Sequence, residues 1–296
     1  MNRLCSVFAY LIISITSVVV SVSHSVSHAN GNSGDSSAGI FPTRIAIGAN
    51  EKTASLTLRN TSKVEVSYRM NLVEMGLDSS GAFRQLNSDE IPANQRSVDK
   101  VVRFSPRQVR LKPGATQVVR VIVRRSAMKE AGEYRSHLLL QALPILSEES
   151  LSDSAKGDAV LVQSSAGLSV GVTVPIIVRH KKTDAVVSLK KVIIDTDDSG
   201  KAISTSVLLG LNGNRSTYGD ITLSLVNNGR ERVVGNLNSF ALYYPYPEEW
   251  IRMPFKKNLH STDVNKNTKI RVRFKNGSSD SKKDYWLDDL AQPLVR

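Results

Sequence analysis

From Ala166 to Val178 every second residue is apolar: Ala166, Leu168, Val170, Val172, Val174, Ile176 and Val178, with Ser169, Gly171 and Thr173 between them. Side chains on a strand alternate between its two faces, so the stretch from Val160 to Arg179 reads as one long β-strand with a single apolar face. Strands usually run about 5–6 residues. One twice that length reaches beyond what its own sheet needs, and leaves part of its apolar face for something else to cover. Just upstream, Ser147 to Asp158 is polar, acidic and serine-rich, the composition of a loop.

The rest of the chain carries shorter strand patterns. Ile40–Ile47 is a short strand containing Thr43 and Arg44; Thr53–Arg59 alternates Ala54, Leu56 and Leu58 against polar residues, and Val64–Leu72 alternates again. Val101–Phe104 is brief and is broken by Ser105-Pro106. Leu111-Lys112-Pro113-Gly114 is a turn, because proline presets φ and glycine accepts the positive φ that follows. Gln117–Arg124 alternates, and Gly132 to Leu138 leads into an apolar strand ending near Pro144. With the long strand this makes seven strand candidates at sandwich spacing, with no convincing helical period before Arg179. Beyond the polar joint His180-Lys181-Lys182-Thr183, short strands are expected at 185–194, 204–211, 220–226, 231–236, 240–244 and 269–274, separated by Asp/Asn/Gly turns. The fold class is all-β: two immunoglobulin-like β-sandwich domains, at 39–180 and 181–296, the second smaller. The length of 296 residues agrees with two domains.

Residues 1–29 have a basic start at Arg3, an apolar run from Val7 to Val22, and Ser27-His28-Ala29, whose small residues suit a signal peptidase. The reading is a cleaved export signal, leaving no stable membrane anchor; the alternative is an uncleaved anchor, for which the apolar run falls a little short of about 20 residues. Residues 30–38 form a flexible Gly/Ser/Asn linker. The single cysteine, Cys5, leaves with the signal, so the domains hold by core packing without a disulfide. The formal charge is +12. Exported chains rarely meet nucleic acid, and the positive residues are not gathered into one run. Arg103, Arg107, Arg110, Arg120 and Arg124 read as a solvated sheet face, or as solubility and steering toward an acidic partner.

No catalytic constellation is expected. Gly167-Leu168-Ser169-Val170-Gly171 matches the nucleophile-elbow pattern, but that serine requires a strand-to-helix turn and here lies mid-strand. His137, His180 and His260 lack metal-ligand spacing, so no metal site and no cofactor are expected. Asp288 and Asp289 are adjacent and point to opposite faces of a strand, a poor acid/base pair. Asn60-Thr61-Ser62, Asn214-Arg215-Ser216 and Asn276-Gly277-Ser278 are glycosylation triplets by pattern and turns by the more economical reading.

Taken together, the signal, Thr43-Arg44, the run Ser105 to Val121 (SPRQVRLKPGATQVVRV), Gly132 to Leu138 (GEYRSHL) and the long strand closing on Ile-Val-Arg resemble the periplasmic pilus-assembly chaperones of the PapD type. The likeness covers most of the chain after the signal. In the second half it is thinner, resting on Gly213 to Asp220 and Asp284-Tyr285. The resemblance implies a non-enzymatic chaperone that lends its long strand to a fimbrial or pilus subunit lacking one, then delivers it to an outer-membrane usher. Ser164, Ala166, Leu168 and Val170 would fill the subunit's groove, with the acidic loop ordering on capture. Leucine and valine would contribute most of the apolar contact, since burying either is worth about 1.5–3 kcal/mol; the alternative is that these residues face the domain's own core. Arg44 matches the arginine that grips the subunit's terminal carboxylate. The usual second cation, a lysine four residues before the closing arginine, is replaced by Pro175, so Arg44 acts alone, or another cation such as Arg135 substitutes, or the subunit is held differently. Glu133, Arg179 and Asp284 match a charged cluster joining the two domains. The alternative function is an exported structural or adhesive binding module; a polymerising subunit would need an apolar N-terminal extension, which residues 30–38 lack.

Overall fold

A computed structural model describes residues 38–78, 81–143, 171–256, 259, 268–277, 286–291 and 294–295. The first half comprises β1 (Ala38–Phe41), β2 (Ile45–Ile47), β3 (Thr53–Asn60), β4 (Val66–Val73), β5 (Met75–Leu77), β6 (Phe83–Gln85), β7 (Val102–Ser105), β8 (Gln108–Leu111), β9 (Thr116–Val123), β10 (Gly132–Ala142) and β11 (Gly171–His180). Two sheets form from them, in the orders β1-β3-β9-β7 and β2-β11-β10-β4-β8, with β5 and β6 as a separate hairpin. The alternation that predicts the strands also fills the space between the sheets: Leu56, Leu58, Tyr68, Met70, Val119, Val121, Leu138, Leu140, Val174, Ile176 and Val178 are all buried in one core. The first sheet carries the immunoglobulin A-B-E-D order, and β11-β10-β4 supplies the facing G-F-C.

Sequence periodicity and structure part company at Ile40–Ile47. The stretch is two strands, not one, because Pro42 lies between them and cannot continue a ladder. β1 joins β3, whereas β2 crosses to the other sheet and pairs in parallel with β11. A second proline, Pro106, likewise separates β7 in one sheet from β8 in the other. Gly114 adopts a φ of 74°, as its turn requires.

The second half comprises β12 (Ala185–Thr196), β13 (Ala202–Gly213), β14 (Thr217–Asn227), β15 (Arg230–Leu242), β16 (Glu248–Pro254), β17 (Lys269–Asn276), β18 (Trp286–Ala291) and β19 (Leu294–Val295). These make the sheets β16-β13-β12-β19 and β15-β14-β17-β18 around a second core, which includes Val207, Leu209, Ile221, Leu223, Ile251, Met253, Ile270, Val272 and Phe274. The arrangement is again immunoglobulin-like. The two strands expected at 231–236 and 240–244 are the single 13-residue β15, carried through by register shifts against β14. β16, whose Ile251 and Met253 are buried between exposed Trp250 and Arg252, was not anticipated.

Candidate functional site

The long strand places the site. In β11, Val174, Ile176 and Val178 point into the first core, so Pro175, Ile177 and Arg179 point away from it. β10 behaves the same way: Tyr134, Leu138 and Leu140 face the core, and Glu133, Arg135 and His137 face outward. Loops and strand ends of the second half cover this outward face, and the side chains on it are buried although they lie outside the first core.

Hydrogen bonds define that junction. Glu133 is 2% exposed, and its carboxylate accepts the Ser216 N–H at 2.7 Å and the Ser216 hydroxyl. The Ser216 hydroxyl oxygen in turn accepts the Tyr244 N–H at 2.9 Å. Arg135, also 2% exposed, donates to the Met75 carbonyl at 2.9 Å, the Tyr244 carbonyl at 3.1 Å and the Gln95 side-chain oxygen at 3.2 Å. Its guanidinium lies 4.5 Å from the Tyr243 ring centroid and 3.9 Å from the Glu133 carboxylate. Three N–H groups of Arg135 are therefore committed inside the junction, while its Nε is buried without a hydrogen-bond partner.

His137 sits beside it. Its ring stands edge-on to Phe83 at 5.6 Å and to Tyr243 at 5.8 Å, while Phe83 and Tyr243 stack on each other at 5.0 Å. His137 is 2% exposed, and its Nδ1 is buried without a hydrogen-bond partner. Burial, reinforced by the positive charges of Arg135 and Arg44, holds the imidazole well below its ordinary pKa, so it is neutral near pH 7.

Arg44 lies one residue before β2. The parallel register matches Ile45 with Ile176, which puts Arg44 alongside Pro175. Its guanidinium carbon is 4.0 Å from the Tyr218 ring centroid, a cation-π contact across the junction. Its Nε is buried without a hydrogen-bond partner.

The sequence-derived residues are thus distributed unequally. Glu133 and Arg179 are direct cross-strand partners on the outward face, both buried, and Arg44 shares that face. Asp284 and the strand residues Ser164, Ala166, Leu168 and Val170 lie outside the described residues, as do the export signal, the acidic loop and the Ser169 motif. Sequence reasoning missed Ser216, Tyr243 and Tyr244. The cluster Tyr243-Tyr244-Pro245-Tyr246 was the available signal, since tyrosines with a polar end are enriched at interfaces. Arg103, Arg107, Arg110, Arg120 and Arg124 are all exposed. Among the described residues no three His, Cys, Asp or Glu side chains are grouped to hold a metal, and no helix is long and apolar enough to cross a membrane.

One edge of the site is open. β10 pairs with β11 along its length, from Gly171 to His180, but on the other side β2 reaches only Ile176 to Val178. Among the described residues, Gly171 to Val174 have no strand paired on that side, and Pro175 has Arg44 beside it.

No protein-family model and no curated protein matches this chain. Solved structures do resemble it. They include the YadV chaperone, 9% identical with a TM-score of 0.44, the match covering 87% of this chain and 100% of that one. A complex of the Salmonella enterica SafA pilin with the SafB chaperone is 13% identical, with a TM-score of 0.43 over 87% of this chain and 99% of that one. The Acinetobacter baumannii CsuC–CsuE complex of a chaperone and a tip adhesion subunit is 14% identical, with a TM-score of 0.40 over 88% and 100%. At such TM-scores the architecture rests on the strand pairing described above.

Proposed function

We propose that this chain is a periplasmic, non-enzymatic chaperone for fimbrial or pilus subunits, which it stabilises by lending a strand and hands to an outer-membrane usher. The observation that carries this reading is the edge of β11 from Gly171 to Val174, which has no paired strand among the described residues. It runs directly upstream into a segment whose sequence keeps the same apolar alternation through Val170, Leu168 and Ala166. An unpaired edge with alternating apolar side chains is what an incomplete sandwich needs for its missing strand: backbone groups pair the edge, and alternate side chains fill the groove. The motif resemblance and the expected export signal support the same reading and supply the compartment. Arg44 would grip the subunit's terminal carboxylate through its guanidinium, whose fork geometry suits that group.

The test is affinity purification of the tagged chain from periplasm, with the co-purifying proteins identified by mass spectrometry, for wild type, Leu168→Asp and Arg44→Ala. We expect wild type to bring down a small exported subunit of sandwich type and both variants to lose it. If Leu168→Asp captures as well as wild type, strand donation is wrong. If wild type captures no subunit although candidate subunits are expressed, the reading gives way to an exported binding module.

A further inference from the structure

The fork of Arg44 can give each oxygen of a carboxylate one donor, which leaves each oxygen a further lone pair to be met, and the lysine expected beside it is Pro175. The sheet supplies a different neighbour. Pro175 on β11 is the direct cross-strand partner of His137 on β10, and Arg44 flanks Pro175 on the other side. Arg44, Pro175 and His137 therefore form one row across three adjacent strands on the outward face. With strands about 4.8 Å apart, the row spans roughly 10 Å, a gap that the long side chain of Arg44 and an imidazole can close around one carboxylate.

Both flanking residues carry uncommitted donor capacity. Nε of Arg44 and Nδ1 of His137 are buried without hydrogen-bond partners, whereas buried polar atoms are nearly always paired. The neighbouring Arg135 also has an unpaired Nε, but its two terminal nitrogens are held by Met75, Gln95 and Tyr244, so its guanidinium is fixed in the junction and does not lie in the row that flanks Pro175. His137 is also held in place: Phe83 and Tyr243 pack against its ring edge-on, so it can present a nitrogen without being free to swing away. The proline itself offers neither a charge nor an N–H.

We propose that His137 is the second donor of the carboxylate cleft, holding the terminal carboxylate of a captured subunit jointly with Arg44 across Pro175. This deepens the chaperone reading and rests on it. The ligand is a peptide C-terminal carboxylate, and the cleft differs from a two-cation cleft in using an imidazole N–H in place of an ammonium. A single cation and a fixed N–H donor favour a carboxylate over a neutral terminal amide, because the amide carries no charge for the guanidinium and offers only one acceptor oxygen.

The experiment starts from the subunit that wild type co-purifies. A synthetic peptide of its C-terminal segment is made with a free carboxylate and as the terminal amide, and the affinity of each is measured by calorimetry. Wild type is expected to prefer the free acid by about tenfold to hundredfold, the range of a hydrogen bond to a charged group. His137→Phe, which keeps the aromatic packing and deletes the donor, should lower that preference to what Arg44 alone provides; His137→Gln, which restores an N–H, should regain part of the loss, and so should Pro175→Lys added to His137→Phe. On the wild-type protein, the ring nitrogens of His137 followed by ¹⁵N NMR should shift on adding the free acid and not the amide. An undiminished preference in His137→Phe overturns the proposal, and so does a His137 signal that ignores the free acid while the peptide binds. The failure of wild type to capture any subunit is a separate result, which sinks the chaperone reading itself.

Discussion

Asn60 shows how a polar residue can be structural. It is fully buried, its amide nitrogen donates to the carbonyls of Val64 at 2.7 Å and Leu111 at 2.9 Å, and its oxygen accepts from the Ser62 N–H and hydroxyl and from Tyr68. A side chain so committed cannot be a glycan acceptor, so the triplet at 60–62 is a turn. We expect Asn60→Ala to cost about 2–4 kcal/mol, since the carbonyls it serves are left short of donors. Asn60→Asp should cost nearly as much, because a carboxylate cannot donate; denaturant unfolding compares the two. His137 yields a pH dependence. Its imidazole resists protonation in the folded chain, while the unfolded one takes up a proton near pH 6.5. Below that pH the unfolded state binds more protons, so stability falls as pH falls, by at most about 1.4 kcal/mol per pH unit from this residue. The unfolding temperature should drop between about pH 7.5 and pH 5.5, and drop less in His137→Phe. A wild-type curve that is flat over that range would contradict the burial of a neutral imidazole. Glu90 and Glu231, both held near pKa 2 chiefly by hydrogen bonds from Arg84 and Arg273 respectively, stay ionised throughout that window and do not confuse it.

At the scale of elements, the period-two alternation of Thr53–Arg59, Gln117–Arg124 and the end of the long strand was enough to locate β3, β9 and β11 and to say which residues face a core. It was not enough to say which sheet a strand joins. Ile40–Ile47 reads as one run, yet its halves belong to opposite layers, because Pro42 interrupts the ladder and leaves β2 to complete β11. The hairpin of β5 and β6 was invisible for another reason: three-residue strands carry too little pattern. Its packing is demanding all the same. A Cβ on Gly76 would lie 1.8 Å from the Tyr246 hydroxyl and 2.8 Å from Leu86 Cδ1, so glycine is what allows the hairpin to sit against the second half. Gly76→Ala should destabilise the protein by about 1–3 kcal/mol through overpacking. Combining it with Tyr246→Phe, which removes the nearest atom, should recover part of that loss in the same unfolding assay.

The whole molecule is two sandwiches joined through a buried polar interface, with Arg135 at its centre. Removing that guanidinium leaves the Met75 and Tyr244 carbonyls and the Gln95 side chain without their donor, and removes a cation that lies 3.9 Å from the buried Glu133. Breaking one side of such a network costs about 3–5 kcal/mol. We expect Arg135→Met to split a single calorimetric transition into two as the halves unfold separately; one unchanged transition would mean that the halves are coupled elsewhere. The sequence by itself determined the strand pattern and the all-β class, because alternation is a local property of the chain, whereas Arg44, Glu133 and Arg179 were singled out by the motif resemblance. Only the tertiary structure decided that Arg135 donates to Met75, Gln95 and Tyr244 inside the junction, that Pro175 lies between Arg44 and His137, and that Tyr218 and Tyr243 close over them. Those relations depend on the register between strands far apart in sequence and on the docking of one sandwich against the other, which no local pattern encodes.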